Sequence, residues 1–177
     1  MENSVAKKSA MSYGLYLGIS LILITVLVYS LNIGLFVEWW FTLFLFIGIV
    51  IFGVMSALKS RKILGGFISF KDAFTSYFIT VFLGLLLSTI VSFLLFNVID
   101  PEATQVLQEK IIDSSVQMME KFGAPQDAID EAVAKMAQEN QFSLGKQLTS
   151  LAFQLIFYAV IGLIVALATK KNNPELE

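Results

Sequence analysis

Four long apolar runs, the first three separated by short stretches and the last two by a long polar insertion, set the pattern of this chain. From Ala73 to Ile99 no charged residue appears. At about 1.5 Å per residue that run reaches roughly 40 Å, more than the roughly 30 Å of bilayer hydrocarbon. The others cover residues 13–33, 39–58 and 148–169, so with 73–99 they make four membrane-spanning helices. A polar leader, residues 1–12, carries Lys7 and Lys8 ahead of the first run. That run also competes as a cleaved signal peptide, with Val28 and Ser30 imitating a small-residue cleavage site. Its apolar core is longer than the 7–15 residues of such signals, so it is expected to be retained.

The stretch Gly65 to Phe74 organises the rest. Gly65 and Gly66 free the backbone for a tight turn, and Ser69-Phe70-Lys71-Asp72 has the form of a capping box. Ser69 should accept from the backbone N–H of Asp72 while the Asp72 carboxylate reaches back, which starts the third span. After that span, Asp100 and Pro101 read as an N-cap and a first-turn proline. The helix they open should stop near Phe122, because Gly123 and Pro125 form a stop signal. A further helix, about 126–140, should fold back on it as a hairpin spanning residues 101–141. Leu107, Ile111, Met118 and Phe122 share one face of the first hairpin helix; Ile129, Val133 and Met136 share one face of the second. These apolar faces are expected to pack on each other and on the outer ends of the spans; the competing reading makes them a docking face for another envelope protein or for the membrane surface. Trp39 and Trp40 stand where an aromatic belt belongs, at the start of the second span.

Composition agrees with this class: 56% of the 177 residues are hydrophobic, 15% are charged and the mean hydropathy is +0.77. A single all-α, polytopic membrane domain is expected. Lys7, Lys8, Lys59, Arg61, Lys62, Lys71, Lys170 and Lys171 cluster at one set of span ends, whereas the hairpin is acidic overall. The positive-inside rule therefore puts both termini in the cytoplasm and the hairpin outside. With a net charge of −2 and basic residues already explained by topology, no nucleic-acid partner is expected.

The chain has no cysteine and no histidine, so disulfides, thiolate chemistry and the commonest proton shuttle are excluded. No charged residue lies within a span; Glu38 and Asp72 stand at span ends, in solvated or capping positions. Ion-coupled carriers usually place an ionisable group at membrane depth, and this chain does not. No nucleophile–base pair, phosphate loop or calcium-loop spacing is present, so neither catalytic residues, cofactor nor metal is expected, and the protein is read as a non-enzyme. The third span carries small residues every fourth position, Ser76, Thr80, Gly84, Ser88 and Ser92, a form that lets helices approach closely. It is expected to pack inside the bundle, with a homo-oligomer interface as the competing reading. Gln154 is expected to hydrogen-bond a neighbouring helix.

Tyr13-Gly14-Leu15, Gly65-Gly66, Ile68-Ser69-Phe70, Ala73-Phe74 and the polar insertion before the last span carry a resemblance. The chain resembles the small four-span bacterial membrane proteins of domain-of-unknown-function family 4199. The resemblance implies the four-span architecture and a bacterial cytoplasmic (inner) membrane location, and it brings no catalytic residue, substrate or cofactor. The expected function is that of a non-enzymatic accessory or interaction module acting through its external hairpin. The alternative is a small transporter or channel subunit whose path the hydroxyl stripe lines.

Overall fold

A computed structural model describes residues 2–171, so the polar tail beyond Lys171 lies outside the described residues. Six helices follow in order: α1 (Glu2–Leu31), α2 (Trp39–Ile63), α3 (Phe70–Leu94), α4 (Pro101–Lys121), α5 (Gln126–Gln138) and α6 (Leu144–Thr169). The chain is a multi-pass membrane protein with four helices long and apolar enough to cross, Ser4–Leu31, Trp39–Ile63, Phe70–Ile99 and Leu144–Thr169. The helical hairpin α4–α5 lies between the third and fourth of them. Apolar side chains such as Leu15, Leu23, Phe44, Phe153 and Ile164 point away from the protein, a surface that suits lipid and not water.

Helix α3 is the axis of the bundle. It packs against α1, α2 and α6, whereas α1 and α6 do not touch each other among the described residues. Close approach is achieved by small residues opposite large ones, as expected where lipid supplies no hydrophobic drive for helix association. The ring of Tyr77 on α3 is fully buried between Gly53 of α2 and Gly162 of α6. On its other side α3 offers Gly84 to Leu17 of α1, while Leu83 and Leu87 fill the space over Gly14 and Gly18. Hydroxyls close the same region. Thr80 donates to the Ala10 carbonyl at 3.0 Å and lies 2.7 Å from the Ser56 hydroxyl, joining α1, α2 and α3.

Three boundaries differ from the sequence reading. Residues 2–12 are helical and belong to α1, because Ala6 and Ala10 are buried against the bundle and extend the small-residue face of Gly14 and Gly18. The α2 helix continues past Leu58 to Ile63, so Lys59, Arg61 and Lys62 ride on its last turns, where cations suit the helix dipole. The α6 helix starts at Leu144, four residues early, with Ser143 as its N-cap.

The turns are built as the glycine and cap signals indicate. Gly65 adopts φ +73° and the Gly66 N–H bonds the Arg61 carbonyl at 2.9 Å, ending α2 with a left-handed cap. Gly123 repeats this geometry at the end of α4, with Ala124 N–H bonding the Met119 carbonyl at 2.9 Å. Ser69 accepts from Asp72 N–H at 3.1 Å and its hydroxyl donates to the Asp72 carboxylate at 2.7 Å. The reciprocal arm of the cap thus ends on the serine side chain. At the termini end, Ile68 and Lys171 exchange backbone hydrogen bonds of 3.0 Å, tying the end of α6 to the turn before α3.

Candidate functional site

Two features stand out at the hairpin end of the bundle, a cleft among the helices and the hairpin above it. Their common foundation is the last turn of α3. Residues Leu95–Ile99 widen into a π-turn, with Asp100 N–H bonding the Leu95 carbonyl at 2.8 Å, which turns Leu95 and Phe96 inward. Leu107 of α4 is buried on these two residues, with Tyr29, Phe36, Ile111 and Phe142 around them.

Polar bonds fasten the base of the hairpin on every side. Asp100 caps α4 by accepting from Ala103 N–H at 3.0 Å, and its other oxygen accepts the Tyr29 hydroxyl at 2.6 Å. The Tyr29 bond, with the Ala103 bond behind it, holds the Asp100 carboxyl below the ordinary aspartate range. The Thr104 hydroxyl donates to the Phe96 carbonyl, and Asn97 Nδ2 donates to the Phe142 carbonyl at 2.9 Å. Gln108 Nε2 reaches the carbonyls of Met136 (3.2 Å) and Glu139 (3.1 Å), clamping the end of α5 to α4. Lys146 pairs with Glu139, which lowers the Glu139 pKa and joins the hairpin to α6.

The expected hairpin face divides along its length. Leu107 and Ile129 are buried, and Ile111, Val133 and Met136 are partly covered. Near the bend the same face is bare: Met118 is 56% exposed and Phe122 is 86% exposed. Carboxylates of Asp113, Glu120, Asp127, Asp130 and Glu131 lie on these same helices. A groove of about 560 Å³ runs between α4 and the start of α2, lined by Glu38, Trp39, Lys110, Asp113, Met118 and Lys121 among others.

The small-residue stripe of α3 also divides. Ser76, Thr80 and Gly84 are buried against the other helices of this chain. Ser88 and Ser92 instead line the cleft, about 360 Å³ in volume, whose walls come from α3, α4, α6 and the turn between α1 and α2. Its apolar lining includes Phe36, Leu85, Phe96 and Phe142; its polar lining includes Ser88, Thr89, Ser92, Gln147, Ser150 and Gln154. The reading of Gln154 as an interhelical hydrogen bond is not met: its carboxamide, which lines the cleft, has no partner within the described residues. Leu85 is the deepest α3 residue of the lining, one residue past Gly84 and its contact with Leu17, and deeper still stand Tyr77 and the Thr80–Ser56 contact.

Sequence reasoning missed the cleft because its walls come from distant segments. The hydroxyls Ser88, Thr89 and Ser92 on α3 and the Gln147-Ser150-Gln154 spacing on α6, which repeats on one helix face, are the available signal. Among the described residues no group of three or more acidic side chains is placed to hold a metal ion. A family model described as a protein of unknown function (DUF4199) matches residues 12–171. No curated protein and no solved structure matches the chain.

Proposed function

The chain belongs to the DUF4199 family, and we propose that it acts as a non-enzymatic accessory module of the bacterial cytoplasmic membrane, presenting its hairpin outside to a second envelope protein. Both termini are cytoplasmic in this reading, which the gathering of lysine and arginine at the termini end of the bundle supports. The observation that carries the proposal is the contrast along the hairpin. Its base is fixed by hydrogen bonds and buried aromatics, while at the bend Phe122 is almost bare and Met118 more than half exposed.

Charge supports a protein partner over the membrane surface. Helices that lie on anionic membranes are usually rich in Lys and Arg, whereas this hairpin is acidic. The fitting partner has an apolar pocket rimmed by basic side chains. A conducting role is less well supported, because the cleft ends at Leu85 and the helices beneath it are in close contact around Tyr77 and Gly84.

A photo-crosslinking residue at position 122 in native membranes tests this. The expected result is a discrete protein adduct that weakens with added salt and is absent when the probe stands at Gln105, on the base of α4. Adducts to lipid alone, or protein adducts of equal yield at both positions, would overturn the proposal.

A further inference from the structure

We infer that the cleft between α3 and α6 is a binding site for an uncharged amphiphile, with a hydroxyl- and ester-bearing head of the monoacylglycerol type and an acyl chain in the bilayer. This goes beyond the role of the hairpin bend and does not depend on it. The volume of about 360 Å³ lies within the range of about 300–1,000 Å³ usual for small-molecule sites. No ionisable side chain is among the residues that line it, so a charged head would enter without a counter-ion.

Most of its hydrogen-bonding capacity is unused: of the polar side chains named in its lining, Gln147 alone has a partner among the described residues, donating to the Phe142 carbonyl at 3.2 Å. Serines and threonines in helices commonly return their hydroxyls to the carbonyl four residues back, as Ser20, Ser30 and Thr149 do at 2.8 Å. Ser88, Thr89, Ser92, Ser150 and the carboxamide of Gln154 make no such bond among the described residues, and all of them face the cleft. These groups are accessible from the cleft, and a ligand that bonds them supplies partners that acyl chains cannot. Ser88 to Ser92 is one helical turn and Gln147 to Gln154 two, roughly 6 and 10 Å, a length that suits a glycerol ester head. Ser150 and Gln154 are also exposed on α6, which leaves the cleft reachable sideways from the bilayer. Phe36, Phe96 and Phe142 supply the apolar wall.

The test uses the full chain, which has no native cysteine, with Ser150→Cys as a reporter. Alkylation of this cysteine by a maleimide is followed in detergent micelles containing monoolein, oleate or neither. Monoolein at ten times its dissociation constant is expected to slow alkylation about tenfold, while oleate, with the same chain and a charged head, leaves it unchanged. Adding Gln154→Leu or Ser88→Ala should in each case cut this protection from about tenfold to about threefold, as the loss of one hydrogen bond implies; both are mild, one being on an exposed face and the other conserving size. A Met118→Cys reporter on the hairpin should respond to neither amphiphile. Equal protection by oleate would mean unspecific insertion, and absence of protection would mean a water-filled cleft; either result overturns the inference, as does protection that neither substitution weakens.

Discussion

Two glycines on α2 allow the packing around Tyr77 to be measured against an internal control. An alanine methyl at Gly53 would fall 2.4 Å from Tyr77 Cε2 and 2.5 Å from Cδ2, whereas at Gly48 a methyl meets nothing within 4 Å. The ring cannot retreat, because at its opposite edge a methyl at Gly162 would already stand 2.7 Å from Cδ1. Both substitutions gain the same helix propensity, about 1 kcal/mol, so that contribution cancels between them. What remains is the overpacking cost at Gly53, typically about 1–3 kcal/mol. For a chain of this size each kcal/mol moves the melting temperature by roughly 2–4 °C, so Gly53→Ala should melt roughly 2–12 °C below Gly48→Ala. The assay is thermal unfolding of the two variants in one detergent, followed by circular dichroism. A double variant, Gly53→Ala with Tyr77→Leu, should lose less than the sum of its parts, because the smaller side chain relieves the clash. Equal melting of the two glycine variants would refute the wedge of Tyr77 between α2 and α6.

Three other outcomes follow from the same geometry. Gly84→Leu should destabilise the monomer in dilute detergent far more than Ser88→Ala, since Leu17 lies where the new side chain must go while Ser88 faces the cleft; equal effects would place Gly84 toward lipid. Ser69→Ala should remove a cap worth about 1 kcal/mol and lower the melting temperature without abolishing insertion, and an unchanged value would show that the cap contributes nothing. Asp100 and Glu139 both have lowered pKa values, so the stability they add is present above the ordinary carboxylate range, about 4, and is lost as pH falls through their folded values. The protection factors of α4 amides, taken against intrinsic exchange at each pH, should accordingly fall on acidification, and Tyr29→Phe should flatten that response; a Tyr29→Phe profile identical to wild type would contradict the role given to the Tyr29–Asp100 bond.

What the sequence made legible was what local chemistry decides. Charge-free runs give spans because a charge at membrane depth is costly, and Gly123 with Pro125 gives a helix end because few other residues adopt a left-handed cap. Ser69 and Asp100 cap their helices through bonds within four residues. Packing partners were harder to read, since span helices are apolar on every face and carry no amphipathic period. Small residues replace it as the signal, but only in part: Ser76, Thr80 and Gly84 on α3 are legible, whereas the matching spacing on α1, from Gly18 and Gly14 back through Ala10 and Ala6, runs into the polar residues of the leader. The same cause hides Ser60, which looks like a loop residue among lysines yet is completely buried at the end of α2. The π-turn at Leu95–Ile99 leaves no mark in sequence, and the exposed part of the hairpin face depends on how far α4 overhangs the bundle.

The claim on which the functional reading depends is that the hairpin stands outside the cell, and single-cysteine labelling tests it most directly. The chain has no cysteine of its own, Gln126 is exposed at the start of α5, and Lys62 is exposed at the opposite end of the bundle. In intact cells an impermeant maleimide should modify Gln126→Cys and leave Lys62→Cys untouched until the membrane is opened. Labelling of Lys62→Cys alone in intact cells would reverse the orientation and contradict the proposed role of the hairpin.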